Sequence, residues 1–301
     1  MTKLAIKVDV DTLRGYLEGV PALLDLFRRR GLSASIFFSF GPDNSGKAIR
    51  RIFRPGFISK MMRTKAPSTY GLKTLMYGTL LPAPLIVAAD PRIVKRAAAE
   101  GHDVGVHAWD HVYVQDCLDK ISRDEYLSLY KKAEALYMEI CGQKPESIAA
   151  PGWQLSHAVL AAEGMLGLKY ASDARGYAPF TPVYCGREYA VPQIPTTLPT
   201  MDEIYGLPGV DDVTLPKRWL DGMTNEWNVL TVHAEMEGIS KLKVFENFLN
   251  MAEALGTKFY TLAQYAAEAP LPRCEIKMGT LVGRAGTLAV QQPAEKEREK
   301  E

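Results

Sequence analysis

Short apolar runs alternate with helical stretches along this chain, and several of the apolar runs end in a residue able to ligate a metal or move a proton. The first run, Leu4 to Val10 in LAIKVDVDT, ends in Asp9 and Asp11. A helical pattern at Val20 to Arg30 and a strand pattern at Ser33 to Phe40 follow it. Further helices are expected at Pro91 to Glu100, with Asp90 as N-cap and Pro91 at the first helical position, and at Arg123 to Ile140, Ala158 to Leu166 and Val244 to Leu255. Strands are expected at Ile148 to Ala150, Leu168 to Ser172 and Asn228 to His233, with another leading into His107. Repeated strand-helix units favour an α/β sheet or barrel over a sandwich or bundle. Asp9 and Asp11, His107, Asp173 and His233 each follow a strand-like run, as they would at the carboxyl face of a parallel (β/α) barrel.

Two carboxylates two apart, Asp9 and Asp11, share one face of a strand. In GHDVGVHAWDH, His107 and His111 converge if the chain turns into helix after Val106. One carboxylate and two imidazoles form a donor set for a catalytic divalent metal with open positions, and zinc, manganese, cobalt and nickel all suit it. The other carboxylate is then free to act as a base or to support a ligand, and spacing alone does not choose between Asp9 and Asp11. The plainer reading makes the histidines satisfied polar residues at a helix start and Asp11 a cap; two pairs at two strand ends weigh against it. His233 closes NVLTVH, a place suited to a general acid. Non-haem iron oxygenases use similar ligands, but on a jelly roll that this α/β pattern contradicts. No G-x-G-x-x-G follows the first strand, so no dinucleotide cofactor is expected.

Charge is unevenly spread. The 301 residues carry a net +1, yet residues 44 to 89 hold eight Lys and Arg and no Asp or Glu, leaving −7 for the remainder. Apolar Ile49, Ile52, Phe53, Phe57, Ile58, Met61 and Met62 interleave with these charges around the breaker Pro55-Gly56. A helix lying on an anionic membrane, an insertion packed on the core and a nucleic-acid surface all fit this composition; no aromatic stacking motif supports the last. The longest apolar stretch, LLPAPLIVAA at 80 to 89, is too short to span a bilayer and is broken by Pro82 and Pro84. MTKLAIKVDV runs straight into a strand pattern without a cleavage site, so a cytoplasmic location is expected. The four cysteines are scattered and expected to be reduced. One domain over 1–290 is expected, with a charged, disordered tail at 291–301.

With VDVDT, GHDVGVHAWDH and TVHAEMEG in that order, the chain resembles the polysaccharide deacetylase family, the group with NodB homology. The resemblance implies a distorted (β/α) barrel, amide hydrolysis with a divalent metal, Asp9 as base, Asp11, His107 and His111 as ligands, and His233 as acid. That family has adjacent aspartates in its first motif, whereas Val10 intervenes here, so the two roles are exchangeable. Its third motif has an arginine where AAPGW at 149 to 153 has Ala149. Arg175, beside Asp173 in SDARG, is the candidate replacement for orienting the base, and a backbone N–H near Gly152 is a candidate oxyanion donor. Gly152, Trp153, Asp173 and Arg175 are thus candidate substrate or supporting residues. FFSFGPDNSG at 37 to 46, the basic insertion, SDARG and PQIPTTLPTMDE at 192 to 203 resemble a branch of the family acting on a lipid-linked amino sugar. This implies hydrolysis of a formamide on an aminoarabinose carried by undecaprenyl phosphate, peripheral attachment to the inner face of the inner membrane, and a part in lipid A modification and polymyxin resistance. Deacetylation of another amino sugar, or metal binding without turnover, are the alternatives.

Overall fold

A computed structural model of the chain describes residues 2–48, 71–224, 226–284 and 286–293. At its centre lies β1 (Lys3–Val10). Its residues alternate: Leu4, Ile6, Val8 and Val10 join the main core under the helices, while Ala5 joins a second cluster with Phe37 and Val229 on the concave face. By the same period of two, Lys7 and Asp9 share the concave face with Ala5. An apolar strand therefore carries two charged side chains into the interior of the sheet.

Parallel strands flank β1. β2 (Ser35–Ser39), β3 (Asp103–Ala108), β4 (Ser147–Ile148) and β5 (Tyr170–Ala171) extend the sheet on one side, and β8 (Trp227–His233) pairs along Lys3 to Asp9 on the other. β9 (Lys258–Tyr260) takes the edge of β1 at Lys3 to Ala5, below the stretch where β2 pairs. Among the described residues no ladder joins β5 to β8, so the expected distorted barrel is an open half-barrel. α1 (Val20–Arg30) has the expected bounds and stops at Gly31 in the left-handed conformation. α2 (Arg92–Ala99), α3 (His111–Cys117), α4 (Arg123–Cys141), α5 (His157–Glu163), α6 (Met201–Ile204), α7 (Leu215–Asp221), α8 (Leu242–Ala254) and α9 (Leu262–Glu268) complete the helices used below.

A second, four-stranded sheet has no counterpart in the sequence expectations. β6 (Thr181–Tyr184), β7 (Arg187–Glu188), β10 (Arg273–Gly279) and β11 (Leu288–Gln291) pair in the order β11-β10-β6-β7. β6, β7 and β11 have only two to four residues, which gives a period of two little room to register, and β10, with seven, meets its partner β6 about ninety residues away in the chain. The sheet reaches the motif SDARG through Arg175 N–H to Ala289 O and Gln291 N–H to Arg175 O. Gln291, expected to open a disordered tail, is buried instead, and its Oε1 accepts from the N–H groups of Tyr177 and Ala178. Residues 294–301 of that expected tail lie outside the described residues, as do residues 49–70 of the basic insertion. The flanks of the insertion fold onto each other: Gly46 N–H donates to Tyr77 O, and Pro42 bridges Leu85.

Two π-helical turns, Gly15–Gly19 and Met236–Ser240, meet behind the carboxyl ends of β1 and β8. Glycine makes this approach feasible. A Cβ on Gly19 would sit 2.0 Å from the carbonyl oxygen of Ala234, and one on Gly238 would sit 2.7 Å from the Gly19 backbone. Both clashes are with main chain, which cannot rotate away as a side chain can. Gly19→Ala is expected to lower stability by about 3 kcal/mol, the upper end of overpacking costs. Chemical denaturation of the variant beside the wild type checks it.

Candidate metal centre and acid–base pair

Asp11 lies one residue beyond β1, His107 on the last turn of pleat in β3, and His111 at the start of α3. The expected turn into helix after Val106 comes later: β3 continues to Ala108, and Asp110 caps α3 by accepting from Tyr113 N–H at 3.0 Å. Asn44 Nδ2 donates to Asp110 Oδ2 at 2.6 Å, so the start of the basic insertion steadies the turn that presents His111. His107 Nε2 stands 3.2 Å from Asp11 Oδ1, and His111 Nε2 stands 3.5 Å from Asp11 Oδ2. His107 Nδ1 lies 2.7 Å from Ala149 O, so it donates there and leaves Nε2 available to a cation. The backbone of Ala149, where the resemblance led an arginine to be expected, thereby fixes the tautomer of His107.

Three donor atoms within 4.8 Å of one another, from Asp11, His107 and His111, fit a divalent cation. Asp11 Oδ1 is buried with no hydrogen-bond partner, as expected of an oxygen that ligates instead. Burial pushes the Asp11 carboxyl up, but His111, His107 and His233 together hold it well below the usual carboxylate range. Burial likewise disfavours charge on His107, and Asp9 and Asp11 outweigh it to raise that imidazole.

Asp9 and His233 are register partners on adjacent parallel strands, which sets them side by side at the carboxyl edge. Burial would depress His233, but the carboxylates of Asp202, Asp11, Asp9 and Glu237 push it up to about 9, so it is protonated at neutral pH. Glu237 Oε2 accepts from the His233 N–H at 2.9 Å. Glu235 Oε1 accepts from Asp11 N–H at 3.0 Å, Thr12 N–H at 2.8 Å and Thr12 Oγ1 at 2.8 Å, which pins the loop carrying Asp11 to the end of β8. Burial, with Asp11 adding to it, raises the Glu235 carboxyl to about 7, and burial raises Glu237 to about 7.

The remaining candidates, offered as substrate or supporting residues, are bonded into the fold around this cluster. Asp173 is fully buried; its Oδ1 accepts from Ala150 N–H at 2.6 Å and its Oδ2 from Gln193 Nε2 at 2.8 Å, holding the AAPGW turn. Gly152 and Trp153 both have positive φ, 65° and 54°, and the indole of Trp153 is flanked by Lys7, Arg175 and Arg284. A tryptophan in that region is strained, and Nε1 donation to Thr196 Oγ1 at 3.1 Å helps hold it. The N–H of Trp153 bonds to Ala150 O, so it is engaged within the turn.

Arg175 does not orient Asp9. Its guanidinium pairs with Glu203 and donates to Thr196 O and Leu198 O, which absorbs it in the structure of the 196–203 loop. Lys7, which sequence reasoning passed over, stands beside Asp9 Oδ2 at 3.3 Å. Its signal was legible: a lysine inside an apolar strand, two residues before the aspartate and so on the same face. Glu235 and Asp202 were also missed. Glu235 follows His233 closely in TVHAEMEG, whereas nothing local marks Asp202.

Asp11→Ala or His107→Ala is expected to abolish retention of a divalent metal through gel filtration, measured by elemental quantification, with the folded core intact by circular dichroism.

The polysaccharide deacetylase family profile matches residues 11–171, the stretch that carries Asp11, His107, His111 and the AAPGW turn. A curated relative from Shewanella sediminis is 37% identical over 97% of this chain and 95% of its own length. Another, from Wigglesworthia glossinidia brevipalpis, is 31% identical over 92% of this chain and 98% of its own. Both carry the name "Probable 4-deoxy-4-formamido-L-arabinose-phosphoundecaprenol deformylase ArnD". In fold, the chain is similar to the crystal structure of a Mycobacterium smegmatis protein, with a TM-score of 0.60 at 15% identity over 88% of each chain. Matched across more than half its length by the family profile and by full-length relatives, this chain belongs to the polysaccharide deacetylase family.

Proposed function

We propose that this protein is a metal-dependent amide hydrolase that removes formate from 4-deoxy-4-formamido-L-arabinose carried on undecaprenyl phosphate, leaving the free amine. The observation that carries the reading is the juxtaposition of Asp9 and His233 on β1 and β8 beside the Asp11, His107 and His111 donor set. The names of the two curated relatives supply the substrate. A bound divalent cation, with zinc, manganese, cobalt and nickel all suited to the donors, would polarise the formyl carbonyl and acidify water. Asp9 takes a proton from the water as its oxygen adds to the formyl carbon. Protonated His233 delivers a proton to the sugar nitrogen as the C–N bond breaks. The net reaction consumes one water and yields formate and the amino sugar lipid.

The same reading makes the protein peripheral on the cytoplasmic face of the inner membrane, with an anionic lipid surface as its partner and no nucleic acid. Its support is the excess of eight basic residues at 44–89 and the exposure of Leu72 and Leu80, which follow residues 49–70 in that insertion. No helix among the described residues is long and apolar enough to cross a membrane. The amino sugar product suits lipid A modification and polymyxin resistance.

Metal-reconstituted protein is expected to release formate from the formamido-arabinosyl lipid and no acetate from the acetamido analogue. His233→Tyr should be inactive while binding metal. Because His233 must be protonated, kcat should fall as pH rises through about 9. Acetate release would favour deacetylation of another amino sugar, and no turnover of either lipid would favour a binding module. For the membrane, Lys60→Glu with Arg63→Glu is expected to weaken co-sedimentation with anionic liposomes at low salt; unchanged sedimentation would leave the insertion as packing.

A further inference from the structure

Lys7 is completely buried in the concave face of the half-barrel, in the middle of β1. A buried ammonium needs counter-charge and acceptors, since leaving it unpaired costs several kcal/mol. It has two: Ser172 O at 3.2 Å and Asp9 Oδ2 at 3.3 Å. The rings of Phe37 and Trp153 lie 5.6 and 5.4 Å from Nζ, which encloses the ammonium in aromatic faces and fixes its direction. Ser172 and the motif that follows are anchored in turn, since Ser172 N–H donates to Ile148 O and Asp173 is held by Ala150 N–H and Gln193. The lysine is therefore a rigid strut between β1 and the end of β5.

Its effect on Asp9 is asymmetric. Oδ2 is held by Lys7, whereas Oδ1 is buried and has no hydrogen-bond partner. We propose that Lys7 is the positioning residue of Asp9, fixing Oδ2 so that Oδ1 is the atom presented to the attacking water. The proposal rests on the reading of Asp9 as base. It also gives a structural reason why Ala149 is tolerated: its side chain packs in the apolar cluster with Ala5 and Phe37, and the charge that holds Asp9 comes from two residues upstream on the same strand face. Ser172 O and Asp9 converge on a point that Lys7 reaches from β1 and that Arg175, bound to Glu203, does not.

Lys7→Met keeps most of the stem volume and removes the charge. Measured with the metal-reconstituted protein and the formamido-arabinosyl lipid, kcat is expected to fall about 10²-fold, the scale of a misplaced reacting group, with KM and metal content unchanged. Asp9→Asn should cost at least as much, and the double variant no more than Asp9→Asn alone, because Lys7 acts through Asp9. Full kcat in Lys7→Met, or losses that multiply in the double variant, would overturn the proposal. If Lys7→Met does not fold, Lys7→Gln, which keeps a donor for Ser172 O, is read by the same criteria. A wild type without turnover would sink the functional reading itself; an active wild type with an equally active Lys7 variant sinks only the role of Lys7.

Discussion

Burial of carboxylates at the carboxyl ends of β1 and β8 is the constraint on which the rest of the structure depends. Asp9, Asp202, Glu235 and Glu237 are all buried, with Asp11 half-buried among them. Each demands a cation or a set of donors, because an uncompensated charge in a protein interior costs more than most single contacts can return. The solutions differ. Glu235 takes three donors on one oxygen, Glu237 takes the His233 N–H, Asp9 takes Lys7, and Asp11 takes two imidazoles. The excess of negative charge that remains holds His233 protonated and makes the site a fitting place for a divalent cation.

Meeting that constraint requires close approach of main chain. Glu235 reaches Asp11 and Thr12 only because the turn at Met236–Ser240 lies against Gly15–Gly19 with no side chain between. The π-turns are thus the joint between the two strands that carry Asp9 and His233. The AAPGW turn closes the other side. Asp173 anchors its backbone, and the carbonyl of Ala149 fixes the tautomer of His107. Neither service depends on the side chain at position 149, since both run through backbone atoms.

The centre of the first sheet was legible because β1 and β8 are long enough for period to register. β1 and β8 show seven or eight residues of alternation, and α1 and α4 fall within a residue of the expected bounds. The second sheet was not legible. Three of its four strands are short, its β6–β10 pairing links residues far apart, and the buried Gln291 belongs to it although its sequence neighbours read as a charged tail. The Asp11, His107 and His111 cluster was readable from residue type and spacing at strand ends, since one carboxylate and two imidazoles brought together there suit a divalent cation.

The sequence marked Lys7 as an unusual charge in a strand but did not decide that it, and not Arg175, pairs with Asp9. Arg175 and Lys7 are both cations, and in sequence Arg175 sits in a motif while Lys7 looks like a misplaced charge in a strand. In the fold Arg175 turns to Glu203, twenty-eight residues on, and Lys7 lies in the interior layer directly below Asp9. The sequence by itself determined the alternating α/β architecture and the candidate donors Asp11, His107 and His111, because strand period and residue chemistry are local properties. Tertiary structure alone decided which cation holds which carboxylate, because buried charges pair by distance in three dimensions, and that distance is set by packing between strands far apart in the chain.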